Sequence, residues 1–185
     1  MDFRAQKIAI VGCAGSGKST LARKLARIYD LPLFHLDCLF WKPGWNARSK
    51  HDFLYIQKVL IQKEQWIIDG NYRSTMHYRI NAADLIIYLD FPRYLCLFRA
   101  LKRAIVNRNR NRPDLTHGCY ERLDRDFFAF LKWIWHYPTR SRPNTYKMLQ
   151  SIQSQKQILI FRTPLSLKNY LSSLCKKYQK NAAII

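Results

Sequence analysis

The chain of 185 residues is 48% hydrophobic and carries 32 Lys and Arg against 12 Asp and Glu, a formal net charge of +20. Its apolar runs fall short of the roughly 18 residues that a membrane span needs, and its five cysteines form no CxxC pair, which argues against a membrane protein, a disulfide framework and a zinc site. We therefore expect a single cytoplasmic domain over residues 1–185, whose basic charge favours phosphorylated metabolites, nucleic acid or anionic membrane as partners.

Short apolar runs alternate along the chain with longer stretches of helical period. This alternation predicts an α/β protein in three layers (α/β/α), with helices on both faces of a parallel sheet. Five buried strands are predicted, at residues 7–11, 33–36, 66–68, 85–89 and 158–161.

The first predicted strand runs directly into the stretch GCAGSGKST, from Gly12 to Thr20. Gly12, Gly17, Lys18 and Ser19 complete the pattern G-x-x-x-x-G-K-[ST], in which backbone N–H groups cradle phosphates at a helix N-terminus. We expect Lys18 to reach the β- and γ-phosphates of ATP as a catalytic residue, and Ser19 to hold Mg²⁺. The residues expected to bind the nucleotide in this loop are Gly12, Gly15, Ser16, Gly17, Lys18, Ser19 and Thr20. The alternative is a glycine-rich turn capped by Ser19 or Thr20.

The stretch FHLDCLFW places Asp37 at the carboxyl end of the second predicted strand. Ligands of parallel α/β sheets bind at that edge, where the phosphate loop also lies. Asp37 is therefore a candidate to orient an acceptor hydroxyl, to accept its proton as a catalytic residue, or to contact Mg²⁺ through water. The alternative is a residue that caps the next segment. His35, two positions earlier, is expected on the same strand face in a packed or hydrogen-bonding role.

The third predicted strand ends in a similar way, in the stretch WIIDGNYR. Asp69 closes this strand and is a candidate ligand of Mg²⁺ or of its waters, while Gly70 permits close backbone approach. The forked guanidinium of Arg73 suits a phosphate or carboxylate of the acceptor. The predicted acceptor-binding residues are Asp37, Asp69, Gly70, Asn71 and Arg73. A turn with a solvated arginine is the alternative, because turns commonly use Asp, Gly and Asn.

Residues 90–157, between the fourth and fifth predicted strands, are far too many for an ordinary connection in an α/β unit. Their apolar spacing predicts a helical insertion, which we expect to act as a lid at about 99–142. Arg99 and Arg103 lie four apart and would share a helix face, from which both could close over a transferring phosphoryl group as catalytic residues. Arg140, and beside it Arg142, are candidates for the same role at the far end. For most basic residues of this segment the alternative is a solvated face.

Together these stretches resemble the adenylate kinase-like P-loop phosphotransferases. GCAGSGKST resembles their phosphate loop, DGNYR resembles the D-G-x-P-R turn of nucleoside monophosphate kinases with Tyr72 in place of proline, and RALKR resembles the paired arginines that open their lid. More narrowly, LPLFHLDCLFWKPGW, WIIDGNY, ADLIIYLDFPR and FLKWIWHYPTR resemble the kinases known as DNA topology modulation proteins. The resemblance implies a five-stranded parallel sheet, a mobile lid, an ATP donor, and Arg162 near the adenine.

We therefore predict an enzyme that transfers the γ-phosphoryl group of Mg·ATP to a small acceptor. The HLD stretch is also similar to kinases of hydroxylated metabolites such as shikimate or gluconate, so a nucleotide and a hydroxylated metabolite both remain as acceptors. The alternative is a nucleotide-dependent regulatory protein that binds nucleic acid, which the charge of +20 supports. No pattern of a base-reading motif accompanies that charge, so nucleic-acid binding is expected to be non-specific. A monomer and a homodimer both fit the sequence.

Overall fold

A computed structural model describes residues 5–108, 110–121 and 123–182. The strands, in chain order, are β1 (Lys7–Gly12), β2 (Leu33–His35), β3 (Trp41–Lys42), β4 (Asn46–Ala47), β5 (Trp66–Asp69), β6 (Leu85–Leu89) and β7 (Gln157–Phe161). Five of them form a parallel sheet in the order β2-β5-β1-β6-β7, while β3 and β4 form a separate antiparallel hairpin. The predicted five-stranded parallel sheet is confirmed.

The helices of the described residues occupy the connections between these strands. They are α1 (Lys18–Tyr29), α2 (Leu36–Phe40), α3 (Lys50–Gln62), α4 (Met76–Ala82), α5 (Arg93–Val106), α6 (Arg125–Arg140), α7 (Arg142–Gln150) and α8 (Pro164–Ala182). Short 3₁₀ turns at Pro43–Trp45 and Arg73–Thr75 complete the regular structure. Among the described helices, none combines the length and apolar character that crossing a bilayer would require.

The hydrophobic core lies on both faces of the main sheet, because neighbouring strand residues point in opposite directions. Ile10 of β1 belongs to the core on one face, together with Leu25 of α1 and Leu174 of α8. Val11, the next residue, belongs to the core on the other face, together with Phe53 of α3. The sheet is therefore covered by helices on both sides, which confirms the predicted three layers.

The long connection between β6 and β7 is helical, since it contains α5, α6 and α7. Its first two helices contact each other through the rings of Tyr94 and Trp135, whose centroids are 5.6 Å apart. Residues 110–121, between α5 and α6, form a non-helical segment that lies against the β3–β4 hairpin; we call it the lid loop. It closes one side of the cleft at the carboxyl edge of the main sheet.

Candidate active site

The phosphate loop connects β1 to α1 at the carboxyl edge of the sheet. It uses backbone conformations that side chains rarely adopt, with φ of 77° at Gly15 and 97° at Gly17. A Cβ atom at Gly15 would also collide with the main-chain carbonyl oxygen of Cys96 on α5. Glycine is therefore required at this position by both torsion angle and space. The loop leads straight into the N-terminus of α1, the end of a helix that attracts phosphate.

Lys18 and Ser16 show that the loop suits an anionic ligand. The Nζ of Lys18 donates a hydrogen bond to the Cys13 carbonyl oxygen at 2.9 Å. The Ser16 side chain is buried, and its hydroxyl has no hydrogen-bond partner among the described residues. Buried hydroxyl groups are seldom left without a partner. A phosphate in the loop would supply a partner for Ser16 and a counter-charge for Lys18, so these residues fit the expected nucleotide.

Asp37 lies on α2 and not on a strand, because β2 ends at His35 and the helix begins at the next residue. Its side chain remains accessible from the cleft, and its Oδ1 accepts a hydrogen bond from the Tyr72 hydroxyl at 2.8 Å. Desolvation by the surrounding protein raises the pKa of the Asp37 carboxyl, while the Tyr72 hydrogen bond and the charge of Lys18 oppose that rise. A carboxylate with a raised pKa facing a phosphate loop has the character of a general base.

His35 and Asp69 are register partners on the adjacent strands β2 and β5. The Nδ1 of His35 lies 2.5 Å from Oδ1 of Asp69, which confirms the hydrogen-bonding role predicted for the histidine. The expectation that His35 and Asp37 share a strand face is wrong, because the strand ends between them. Asp69 is only 3% exposed and lines the cleft, so the histidine fixes the direction of its carboxylate.

Ser19 and Asp69, the predicted magnesium ligands, both line the cleft. In the part of the chain that the structure describes, no group of three or more His, Cys, Asp or Glu side chains is arranged to hold a metal ion. Magnesium in nucleotide sites keeps several waters and binds through one or two protein oxygens and the substrate phosphates. The pair therefore fits Mg²⁺ that arrives with a nucleotide.

A buried arginine on α4, Arg79, supports the turn that follows β5. Its Nη2 donates hydrogen bonds to the carbonyl oxygens of Gly70 and Asn71, each at 3.2 Å, and its Nη1 donates to the Gln57 side chain. Burial lowers the pKa of the Arg79 guanidinium to about 9, although the charge of Asp69 opposes this. The sequence analysis did not single out this residue, and the available signal was its place on the apolar face of a short helix.

Three arginines predicted for the site lie outside the cleft. Arg73, Arg140 and Arg162 are exposed, and they do not line the cavity. Arg73 follows the turn on its solvent side, whereas Arg140 and Arg162 stand at the ends of α6 and β7. Arg142 instead pairs with Asp90, with Nη2 2.7 Å from Oδ2. These arginines are thus not among the residues that line the main cavity, although Arg73 lines a smaller cavity of about 260 Å³ beside the turn.

Arg99 and Arg103 of α5 do line the cleft. The Nη1 of Arg99 donates a hydrogen bond to the Ser16 carbonyl oxygen at 3.3 Å, which places this guanidinium beside the phosphate loop. Arg103 points toward the lid loop, where its Nε lies 2.9 Å from Oε1 of Glu121. The two predicted arginines are therefore both in the cleft, but with different surroundings.

A network of ion pairs that was not predicted from the sequence lies within the lid loop and connects it to Arg103 of α5. Arg112 of the lid loop lies 2.6 Å from Asp114 and 2.5 Å from Glu121, and these three side chains are largely buried. Burial raises the pKa of Asp114, but hydrogen bonds from Arg112 and from Ser19 outweigh it and hold that pKa at about 2. Removing one partner of a buried ion pair typically costs about 3–5 kcal/mol, because it leaves the other charge uncompensated.

The lid loop also binds the β3–β4 hairpin directly. The Thr116 hydroxyl donates to the carbonyl oxygens of Cys38 and Trp41, at 2.9 and 2.7 Å. The indole Nε1 of Trp45 donates to the Tyr120 carbonyl oxygen at 2.9 Å. These contacts join two segments that are distant in sequence, and they place the rings of Trp41 and Trp45 in the cavity wall.

The cleft encloses a cavity of about 1850 Å³. Sites for one drug-sized ligand occupy about 300–1000 Å³, so this cavity has room for two ligands. Its lining includes the phosphate loop and α8 residues such as Leu167 and Leu171. It also includes Asp37, the turn after β5, the hairpin tryptophans and the lid loop, and we call this second group of residues the acceptor side.

Comparisons with known proteins agree with this architecture. The sequence matches no protein-family model and no curated protein. Among solved structures, the shikimate kinase from Acinetobacter baumannii in complex with shikimate is similar at 16% identity and a TM-score of 0.56, with 95% of this chain and 94% of that chain covered. The deoxyadenosine kinase from M. mycoides with bound dATP is similar at 16% identity and a TM-score of 0.50, with 94% and 99% covered. These likenesses do not show the narrower resemblance to DNA topology modulation proteins; they show that the chain has the fold of P-loop kinases.

Proposed function

We propose that the protein transfers the γ-phosphoryl group of ATP to a hydroxyl group of a small molecule. The observation that carries this proposal is that the same cavity is lined by the phosphate loop with Lys18 and by the carboxylate of Asp37. The names of two proteins of similar fold, a shikimate kinase and a deoxyadenosine kinase, support it. The cavity is also large enough for a donor and an acceptor together.

On the donor side, the phosphate loop from Gly15 to Thr20 binds the ATP phosphates through its N–H groups. Lys18 exchanges its hydrogen bond to the Cys13 carbonyl oxygen for the β- and γ-phosphates. Ser19 and the carboxylate of Asp69 are the residues that would hold Mg²⁺, directly or through water. When bound, this ion neutralises charge on the phosphates, while the protein supplies the fixed positions.

On the acceptor side, Asp37 takes the proton of the acceptor hydroxyl. The hydroxyl oxygen forms a bond to the γ-phosphorus, the bond from that phosphorus to the bridging oxygen of ADP breaks, and the proton moves to Asp37. Tyr72 orients the carboxylate through its hydrogen bond. Arg99, beside the phosphate loop, adds positive charge where charge develops on the transferring group.

The proposal is tested by incubating the protein with Mg²⁺ and γ-labelled ATP, together with a panel of nucleosides, nucleotides, sugars and hydroxy acids. We expect ADP release that depends on one class of acceptor, and label that appears on that acceptor. Omission of Mg²⁺ should abolish transfer. If no acceptor raises ADP release and ATP does not bind, the phosphotransferase assignment is wrong.

Replacing Tyr72 by phenylalanine should move the acidic limb of the pH–activity profile to higher pH. The Tyr72 hydrogen bond lowers the pKa of Asp37, so its loss raises that pKa, and more alkaline solution is needed to deprotonate the base. The aromatic packing of this ring against Phe40 and Phe53 is kept in the variant. The measurement is kcat/KM against pH, with Tyr55→Phe, at an exposed site on α3, as the matched control. An unshifted limb in Tyr72→Phe would mean that Asp37 does not set the profile.

We propose that the lid loop opens to admit ligands and closes when both are bound. Its ion pairs and its hydrogen bonds to the hairpin describe the closed state. Amide hydrogen exchange across residues 110–121 should therefore slow when Mg²⁺, a nonhydrolysable ATP analogue and the acceptor are added. Peptides from the outer face of α3 serve as the internal control. Equal amide exchange rates in the lid loop with and without ligands would show that the loop does not close on ligand binding.

A further inference from the structure

Carboxylates are concentrated in the cavity, although the chain as a whole is strongly basic. Six of the 12 Asp and Glu residues of the chain line it, together with eight Lys and Arg residues. The six acidic residues are Asp37, Asp69, Asp114, Glu121, Asp124 and Asp126. Burial raises the pKa of the Cys38 thiol to about 11, and the negative charges of Asp114, Asp37 and Asp69 contribute to this rise. Asp114 and Glu121 are paired with Arg112 and Arg103, so it is Asp37 and Asp69, which have no arginine in an ion pair among the described residues, that would repel a second anion placed beside them.

The arginines on this side already have anionic partners. In the described residues, Arg112 is bound to both Asp114 and Glu121, and Arg103 is paired with Glu121. Arg73, the residue expected to bind an acidic acceptor, is exposed and lines a smaller neighbouring cavity of about 260 Å³ instead of the main one. Proteins normally bind a phosphate or a carboxylate through an arginine guanidinium that is not already paired with another anion. Among the described residues of the acceptor side, the arginines that line the main cavity therefore already have carboxylate partners, whereas Arg99 lies beside the phosphate loop.

Two tryptophans of the hairpin, in contact with the lid loop, also form part of the cavity wall. The rings of Trp41 and Trp45 meet edge to face, with centroids 5.3 Å apart and an angle of 74° between their planes. Trp45 has a φ of 63°, a left-handed conformation that is costly for a bulky residue. Such strain persists where the surroundings impose it, and it is concentrated at functional sites. Here the hydrogen bond from the Trp45 indole to the lid loop holds the ring in the cavity wall.

We infer that the phosphoryl acceptor is an uncharged nucleoside, whose base stacks on the wall formed by Trp41 and Trp45 and whose hydroxyl faces Asp37. This inference rests on the proposed function. A nucleoside carries a flat aromatic base and a hydroxyl group, and it carries no charge that would need a free arginine. In the reaction its hydroxyl oxygen bonds to the γ-phosphorus of ATP as ADP leaves, and its proton passes to Asp37.

Isothermal titration calorimetry with Mg²⁺ and a nonhydrolysable ATP analogue tests the inference. The ribonucleosides and deoxyribonucleosides are titrated beside their own 5′-monophosphates, with shikimate and gluconate as carboxylate probes. We expect at least one nucleoside to bind about 10-fold or more tightly than its monophosphate, since each matched pair differs only by the phosphate group, which adds negative charge and bulk and replaces the free 5′-hydroxyl. Labelled ATP should then phosphorylate the nucleoside that binds.

Variants of the tryptophan wall give a second readout. Trp45→Ala should weaken nucleoside binding by about 10-fold or more, the scale of one lost base–aromatic stack, and Trp45→Phe should retain most of it. Affinity for the ATP analogue should not change in either variant, which also shows that the fold is intact. Trp135→Ala, on the outer surface of the helical insertion, is the matched control.

The outcomes separate this inference from the proposed function. The nucleoside assignment is overturned if a monophosphate or a carboxylate binds as tightly as every nucleoside. It is also overturned if the ATP analogue binds and no nucleoside does. In both cases the kinase proposal stands. Unchanged nucleoside binding in Trp45→Ala overturns the stacking wall. If the ATP analogue itself does not bind, both proposals fall.

Discussion

Replacing Lys18 by alanine should lower the rate of phosphoryl transfer by about 10³-fold. This is the upper end of the rate loss seen when an enzyme loses one hydrogen-bond donor that stabilises the charge of the transition state. The Lys18 ammonium stands at the N-terminus of α1 and is held by one hydrogen bond, to the carbonyl oxygen of Cys13. In the proposed reaction this ammonium moves to the β- and γ-phosphates, where negative charge develops as ADP leaves. Since the side chain makes no other hydrogen bond or ion pair with the described residues, its loss should leave the fold intact.

The measurement for Lys18→Ala is transfer of label from γ-labelled ATP, with thermal unfolding followed in parallel. Lys63→Ala is the matched control, because Lys63 is an exposed lysine at the end of α3 and lies outside the cavity. The control should transfer phosphate at the unaltered rate. Equal rates in Lys18→Ala and the unaltered protein would remove the phosphate loop from the mechanism. A large drop in melting temperature would instead assign Lys18 a structural role.

Features encoded by short stretches of sequence were predicted well. The predicted strand at residues 85–89 is observed as Leu85–Leu89, and the one at 33–36 is observed as Leu33–His35. Parallel strands buried on both faces need continuous apolar residues, so their pattern is visible without knowledge of the rest of the chain. The phosphate loop is equally local, since its glycines, lysine and hydroxyl residues follow one another along nine positions.

Features that depend on contacts between distant segments were not predicted. Arg73 and Arg79 are both arginines near the same turn, and only the packing of α4 against α3 shows that Arg79 is the buried one. The pairing of Arg112 with Asp114 and Glu121 likewise depends on the path of the lid loop. A run of basic residues gives no sign of which carboxylates will lie beside it.

The apolar stripe on α5 shows a second limit of sequence patterns. Leu95, Phe98, Leu101 and Ile105 recur at helical spacing, and this periodicity predicted a helix correctly. Periodicity also favours burial of such a stripe, yet Leu95 is only partly buried and the other three side chains are 63%, 43% and 57% exposed. The helix instead buries its small residues, Ala100 and Ala104, against the rest of the domain. Spacing therefore identified the helix but not the face that packs.

Replacing Asp37 by asparagine should lower kcat by about 10²- to 10⁴-fold, the contribution of a positioned general base, while ATP affinity changes little. Asparagine has nearly the shape of aspartate, and its side-chain oxygen can still accept the hydrogen bond from the Tyr72 hydroxyl. It cannot take the proton of the acceptor hydroxyl, so the loss should appear in turnover.

The readouts for Asp37→Asn are steady-state kinetics with the acceptor found by the screen and calorimetric titration of a nonhydrolysable ATP analogue. Asp52→Asn, at an exposed position in the first turn of α3, is the matched control and should behave as the unaltered protein.

Because the pKa of Asp37 is raised, the acidic limb of the unaltered enzyme should lie above the ordinary range of an aspartate, and Asp37→Asn should lose that limb. A variant that keeps both its turnover and its acidic limb would show that another group accepts the proton. A variant that loses ATP binding instead would place Asp37 on the donor side of the cavity.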